Sequence, residues 1–367
     1  MSHLPSAPSK PAASGPSTTS EMVTISAAEE QKAIIEALQR VGCARGESEA
    51  QAHMLVEADL RGRPSHGLQR LPTLIERIRQ GVLLPGAKIE VERRTPAFLA
   101  VDGGGGFGPH VANQALDLAM ASIEGLRIAL VAIRNSSHLG MLAPYLETIV
   151  ANGLIGIALT TTEALVHPAG GRVPLIGTNP IGVGIPVEGE PPFVLDMSTG
   201  AISAGEIIAH AQRGLPLPPG CAIDENGREA VDAERALRGA ISPAGGGKGY
   251  GLGLAFELLV GILSDTALGC DVLGTLDVDK PVTKGDVFIV IDPRESSASW
   301  PGSRIADYLH ELRASPPAMG SRGVRIPGDR AREERERRLR DGISVPAALW
   351  RSVTTLRGEP QDGDRDG

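Results

Sequence analysis

A chain of 367 residues, 41% hydrophobic and 22% charged, has the balance of a globular protein and the length for two domains, which excludes a disordered chain. A net charge of -8 argues against nucleic-acid binding, which requires a basic face. Aromatics are only 3% of residues beside 46 Gly and 28 Pro, so the core must rest on Ala, Val, Ile and Leu between many turns.

Residues 1–21, rich in Ser, Pro and Ala, read as a disordered tail without a secretory h-region. Ser26-Ala27-Ala28-Glu29 is a capping-box pattern, and Ile34, Leu38 and Val41 then fall on one helical face before Gly42. Ser48 is expected to open a second helix carrying Met54, Leu55 and Ala58, and a third is predicted over Leu68 to Gln80. From about Thr95 the texture changes to α/β: strands over Phe98–Val101, Ile128–Ile133 and Leu154–Thr160, with helices over Val111–Ile123 and Met141–Ala151. Later strands are predicted at Phe193–Leu195 and Val287–Ile291, and Ala331 to Arg340 reads as a solvated helix. Residues 358–367 read as a second tail.

The cysteines, Cys43, Cys221 and Cys270, are odd in number and form no CxxC. A zinc ribbon or disulfide framework is therefore not expected, and a reducing, cytoplasmic compartment fits. No uninterrupted apolar run reaches the about 18 residues of a membrane span.

Two glycine loops invite a nucleotide. Gly103, Gly105 and Gly108 match G-x-G-x-x-G between a strand and a helix, but four consecutive glycines satisfy many patterns, and a plain turn is the simpler reading. Ala244 to Gly251 fails as a P-loop, because Ser242 and Gly249 stand where Gly and Ser/Thr are required. Its exposed N–H groups and Lys248 suit a phosphate or carboxylate, or else form an ordinary turn.

Two polar clusters suit hydride transfer at a keto acid, which needs a guanidinium for the carboxylate and an acid/base near neutrality. Ser65-His66-Gly67 with Arg70 puts an imidazole and a guanidinium four residues apart, on one face of a predicted helix start. Asn135 to Gly140 places His138 just past the carboxyl end of a predicted strand. On the residues alone, each His is either catalytic or a hydrogen-bonded loop residue, and Arg70 either holds an anion or forms a helix ion pair. No His, Cys, Asp or Glu grouping has metal-ligand spacing, and no G-x-S-x-G elbow is present.

Five stretches carry a family resemblance: Ala58–Gly62 with Ser65–Gly67 and Arg70–Pro72; Asn135–Gly140; Gly177–Pro180; Leu195–Thr199; and Gly246–Leu252. Over roughly Ile25 to Leu356, the chain resembles the type-2 malate/L-lactate dehydrogenases, which include sulfolactate, ureidoglycolate and diketogulonate dehydrogenases and a cyclic-imine reductase. The resemblance implies an α/β fold with a non-Rossmann NAD(P)-binding domain over 96–291. It implies a helical part over 22–95, joined by about 292–357, and a homodimer with its site near the subunit junction. The implied activity is hydride exchange between NAD or NADP and C2 of a small 2-hydroxy/2-keto acid, without a metal, a nucleic acid or a membrane. Alternatives are a cyclic-imine reductase or a catalytically retired dinucleotide-binding protein.

By the same resemblance His138 is the proton acceptor, with His66 as the alternative, and Ser65, His66 and Arg70 line the substrate pocket. Asn179 with Pro180 shapes it. Thr162, Asp196, Met197, Ser198, Gly247, Lys248 and Gly249 contact the cofactor. Four positions depart from the family pattern: Leu74 for a Tyr one turn after Arg70, Glu206 for a Lys, Cys221 for a Trp, and His167 for a small residue. The first two bear on substrate and cofactor preference.

Overall fold

A computed structural model describes residues 21–123, 125–275, 277–294 and 303–356; apart from Glu21, the two expected tails lie outside them. The chain begins with β1 (Met22–Ile25) and α1 (Ala27–Arg40). The Ser26 hydroxyl accepts the Glu29 N–H and the Glu29 carboxylate takes the Ser26 N–H, the expected capping box. Helix α2 (Arg45–Leu60) begins earlier than expected. Its cap is Ala44, whose N–H donates to Glu47, while the Ser48 hydroxyl donates back to the Ala44 carbonyl. The third helix also differs: Pro64–His66 and Leu68–Arg70 are separate 3₁₀ turns, and α3 spans only Leu71–Arg79. Gly67, at the end of the turn expected before that helix, separates the two 3₁₀ turns.

Strands β2 (Glu90–Thr95) and β3 (Phe98–Gly106) pair antiparallel. Strand β2 is exposed throughout, and its four charged residues fit an edge strand that must not recruit another chain. Helix α4 (Gly108–Ser122), β4 (Ile128–Ser136), α5 (Ala143–Ala151), β5 (Ile155–Thr160), β6 (Ile181–Ile185) and β7 (Phe193–Met197) follow. Next come α6 (Ala204–Arg213), β8 (Ala222–Ile223), α7 (Ala233–Arg238), β9 (Ala240–Ile241), α8 (Gly247–Ser264) and β10 (Asp286–Ile291). The chain ends in α9 (Ser303–Ala314), α10 (Asp329–Asp341), β11 (Ile343–Pro346) and α11 (Ala347–Leu356).

Seven strands form one mixed sheet in the order β2-β3-β4-β10-β5-β6-β7. Among the described residues, β3–β4 is its one parallel pair. Alternation along β10 explains the layers. Phe288 and Val290 join the core with α4 and α5, while Val287 and Ile289 face Val260, Phe256 and Leu263 of α8. A second core gathers α1, α2 and α3 with β1, β11 and α11, so the chain's end returns to its beginning. The edge strand β2 belongs to the sheet, so the sheet starts on the N-terminal side of residue 96.

The Gly103–Gly108 segment is neither of the two turns considered. Strand β3 runs on through Gly106, and Gly108 opens α4 against the Ser137 and His138 carbonyls, where a Cβ would overlap both. These glycines serve close backbone packing behind His138.

A buried charge cluster joins the layers. Arg61 donates to Glu57 (2.7 Å) and Glu147 (2.6 Å), and Arg335 of α10 donates to the same Glu57 (2.8 Å). Replacing Arg61 by Leu leaves two carboxylates short of their cation and is expected to cost about 3 kcal/mol, read from urea unfolding. A loss under about 1 kcal/mol would mean that Arg335 alone neutralises Glu57.

Candidate active site

A small cavity lies where α2, the His66 and Arg70 turns, α3 and the β4–α5 turn meet. His66, Arg70 and His138 all line it, together with Gln51, Leu74, Arg77 and Thr275. The two imidazoles stand 5.5 Å apart, centroid to centroid, with their rings tilted by 41°.

Asp59 places the first imidazole. Its buried carboxylate, at the end of α2, accepts the Leu68 N–H at 2.6 Å and fills the space beneath Gly67. A Cβ at residue 67 would fall inside that carboxylate, so only glycine lets the backbone descend far enough to be held. This contact stands at the junction of two consecutive 3₁₀ turns, which carry His66 and Arg70 to the cavity. The His66 Nδ1 lies 3.1 Å from the Ser65 Oγ.

His138 follows the carboxyl end of β4, as its sequence position predicts. Its Nδ1 accepts the Gly140 N–H at 2.9 Å. The neutral ring therefore carries its proton on Nε2, and a second proton on Nδ1 would face a backbone donor head-on. Both imidazoles are held neutral. Burial, followed by the charges of Arg70 and Arg63, pushes His66 down to about 4. Burial, Arg70, His66 and Lys284 hold His138 well below the ordinary range.

Arg70 donates from Nη2 to the Thr275 carbonyl at 3.2 Å. Thr275 is anchored by its own N–H and hydroxyl, both given to the Glu163 carboxylate. Near His138, Lys284 and Asp286 form a buried ion pair at 2.6 Å.

The residues expected at a cofactor form a second cluster. Thr162 accepts the Thr178 N–H at 2.9 Å, the Thr199 hydroxyl donates to the Thr178 carbonyl at 2.9 Å, and Ala244 donates to the Thr199 carbonyl at 2.9 Å. Thr162, the Asp196–Ser198 segment and the loop before Lys248 are thereby tied together. Gly247, Lys248 and Gly249 are the first turn of α8, an 18-residue helix. Space is open around Gly245, Gly246 and Gly247, and Lys248 is exposed, an arrangement that fits phosphate on a helix N-terminus. Met197 is exposed, and the Ser198 hydroxyl closes a local turn with Gly200.

Of the residues expected at the substrate, Ser65 and Asn179 do not line the cavity, and Asp196, expected at the cofactor, gives its carboxylate to a helix start. Asn179 is fully buried; its amide donates to the Gly253 carbonyl and to Glu257, and its oxygen accepts the Thr162 N–H. Asp196 accepts the Leu142 and Ala143 N–H groups at 2.8 and 2.9 Å and caps α5, with burial raising its pKa. Conversely, Gln51, Arg77, Glu163, Thr275, Lys284 and Asp286 were not singled out from sequence. Their burial and pairing arise across elements, and no local pattern separates them from solvated charges.

Of the departures, Leu74 is a cavity wall residue, 6% exposed. Glu206 completes a capping box with Ser203 at the start of α6. His167 sits between the Pro168 carbonyl and Ser242, and Cys221 packs against the core around Val166.

The family model for malate/L-lactate dehydrogenase matches residues 25–354. The malate/(S)-sulfolactate dehydrogenase of Methanothermus fervidus is 34% identical over 336 residues, 91% of this chain and 97% of that protein. A Delta(1)-pyrroline-2-carboxylate/Delta(1)-piperideine-2-carboxylate reductase of Pseudomonas aeruginosa is 33% identical, covering 91% of this chain and 99% of its own. Among solved structures, a dehydrogenase from Sinorhizobium meliloti superposes with a TM-score of 0.87 at 44% identity, over 92% of this chain and 99% of that one. The sulfolactate dehydrogenase of Methanocaldococcus jannaschii gives 0.85 at 32% identity, over 93% and 99%. An oxidoreductase by these relationships, the chain belongs to the malate/L-lactate dehydrogenase family.

Proposed function

We propose that the protein exchanges hydride between NAD or NADP and C2 of a small 2-hydroxy/2-keto acid. The observation that carries this reading is a pair of neutral imidazoles, 5.5 Å apart, beside the Arg70 guanidinium in one cavity. Arg70 binds the substrate carboxylate through paired N–H donors. His138, its proton fixed on Nε2 by the Gly140 N–H, donates a hydrogen bond to the carbonyl oxygen and polarises it. His66 is the acid/base: in the tautomer whose Nδ1–H points at the Ser65 hydroxyl, 3.1 Å away, its Nε2 gives or takes the proton. This reverses the order of preference read from the resemblance, and the reason is the His138 tautomer.

A nicotinamide dinucleotide, when bound, supplies or removes the hydride at C2. The first turn of α8, with Gly247, Lys248 and Gly249, would hold its phosphates, and Thr162 and the Asp196–Ser198 segment would flank it. Support for a non-Rossmann cofactor domain comes from the mixed sheet with one parallel pair. The N- and C-terminal segments, sharing one core, support a helical unit built from both ends. The free thiols Cys43, Cys221 and Cys270 fit a reducing cytoplasm.

The pH dependence follows from the His66 shift. Reduction needs imidazolium, which is scarce above a pKa of about 4. Its kcat/KM is therefore expected to rise about tenfold per unit as pH falls from about 8 to 5, with oxidation flat over that range. In His66→Gln the slope disappears and kcat falls about 10²-fold or more, while His138→Gln slows reduction and keeps the slope. A slope that survives His66→Gln would return the proton to His138. Loss of NADH and NADPH absorbance with oxaloacetate, pyruvate and a cyclic imino acid reads out both the activity and the bond reduced.

A homodimer is supported by the outward face of α8. Leu252, Leu258, Leu259 and Ile262 are 52%, 45%, 40% and 79% exposed along one apolar stripe. Sedimentation should find a dimer, and Ile262→Glu should shift it to monomer; a monomeric wild type would sink this assignment.

A further inference from the structure

We propose that Glu30 is a positioning residue for the turns that carry His66 and Arg70: it keeps its proton in the folded chain and donates it, as a hydrogen bond, from α1 to the Asp59 carboxylate. The carboxylate seated beneath Gly67 then has a donor on each side. The shared proton goes beyond the dehydrogenase reading; only its effect on turnover rests on that reading.

Burial and the missing donors carry the inference. Glu30 stands in the first turn of α1, yet it is 0% exposed, on the face that carries Ala33, Ile34 and Ala37 into the core. Among the described residues, neither of its carboxyl oxygens has a hydrogen-bond partner. The carboxyl group it faces is that of Asp59, itself buried. Two ionised carboxylates are acceptors only, so they cannot bond to one another. One proton turns the pair into donor and acceptor and removes one of two buried like charges. Asp59 is the acceptor of the two, because its Oδ2 already takes the Leu68 N–H at 2.6 Å.

The charges nearby do not replace that proton. Arg338 of α10 acts on both carboxyls, but its Nη1 donates to the Asp59 carbonyl at 2.7 Å and its Nε to Glu334 at 2.5 Å. One guanidinium shared with Glu334 leaves an excess of acid. Arg351, the charged residue of α11, is exposed and pairs with Glu21 at 3.5 Å. On α1 itself, Glu29 caps with Ser26 and Lys32 pairs with Glu36. Burial, then the Asp59 charge, pushes Glu30 up to about 10. Burial raises Asp59 as well, while the Glu30 hydrogen bond, the Leu68 N–H and Arg338 pull it back. Between the ordinary 4.5 and about 10 the folded chain therefore holds one proton more than the unfolded chain, and stability falls as pH rises across that window.

The test uses the full chain as wild type, Glu30→Gln and Glu30→Leu. The carboxamide N–H of Glu30→Gln keeps a donor toward Asp59 and cannot titrate. From pH 6 to 9, the wild-type unfolding equilibrium constant from urea titrations should rise about tenfold per unit relative to that of Glu30→Gln. Infrared difference spectra at pH 8 should show a carboxylic-acid C=O band in the wild type that Glu30→Gln lacks. Parallel pH slopes with no difference band would overturn the shared proton. Exchange of the Leu68 amide should quicken about tenfold in Glu30→Leu and return to the wild-type rate in Glu30→Gln. Unchanged exchange in Glu30→Leu would overturn the positioning role. Should Glu30→Leu fail to fold, Leu68 protection decides: it should fall toward pH 9 in the wild type and stay level in Glu30→Gln, and equal profiles would overturn the role. With NADH and oxaloacetate, Glu30→Leu should lose about tenfold in kcat with the NADH KM within about twofold, and Glu30→Gln should restore it. A wild type that reduces no 2-oxo acid would remove the dehydrogenase reading, while the infrared and exchange measurements still decide this one.

Discussion

The site turns on a guanidinium kept in a cavity with little water. Burial first, and then the Arg70 charge beside them, keeps the two neighbouring imidazoles uncharged; in the proposed reading the same guanidinium holds the substrate carboxylate. When a carboxylate lands on Arg70, part of that repulsion is cancelled. In the proposed reading, proton uptake at His66 is thereby coupled to substrate binding, and the acid becomes available when there is something to protonate.

Holding charges in this way demands a stiff surround. The Asp59 carboxylate beneath Gly67 fixes the His66 turn from one side, and the Gly140 N–H fixes the His138 ring from the other. Behind them, Gly108 brings α4 against the His138 carbonyl, and the Glu57–Arg61–Glu147 cluster joins α2 to α5. The mixed sheet carries β4 and β10 side by side, which sets the buried Lys284–Asp286 pair within electrostatic reach of His138. Local contacts hold each ring, but His66 and His138 come from segments 72 residues apart, so the two imidazoles meet only in the folded chain.

The departures from the family pattern separate along these lines. Leu74 faces the cavity and changes what the substrate's tail meets. Glu206 looked like a charge reversal at the cofactor, but it spends its carboxylate on the Ser203 cap of α6. One departure stands in the cavity wall; the other is accounted for by local helix chemistry.

The sequence alone determined what depends on short-range pattern. Apolar periodicity located α1, α4, α5, β4, β5 and β10, and the Ser26 capping box started α1 where expected. Motif order carried the family, and the types and spacing of His66, Arg70 and His138 carried the chemistry. The strands β2 and β6 escaped prediction because a mostly charged edge and a Gly-alternating run, Ile181 to Ile185, lack the expected apolar pattern. Only the tertiary structure decided the rest. Asp59 fixed the turn that carries His66, a backbone N–H chose the His138 tautomer, and burial left two Arg77 donors without a partner. Those outcomes depend on what stands opposite each residue in space, which the chain order does not contain.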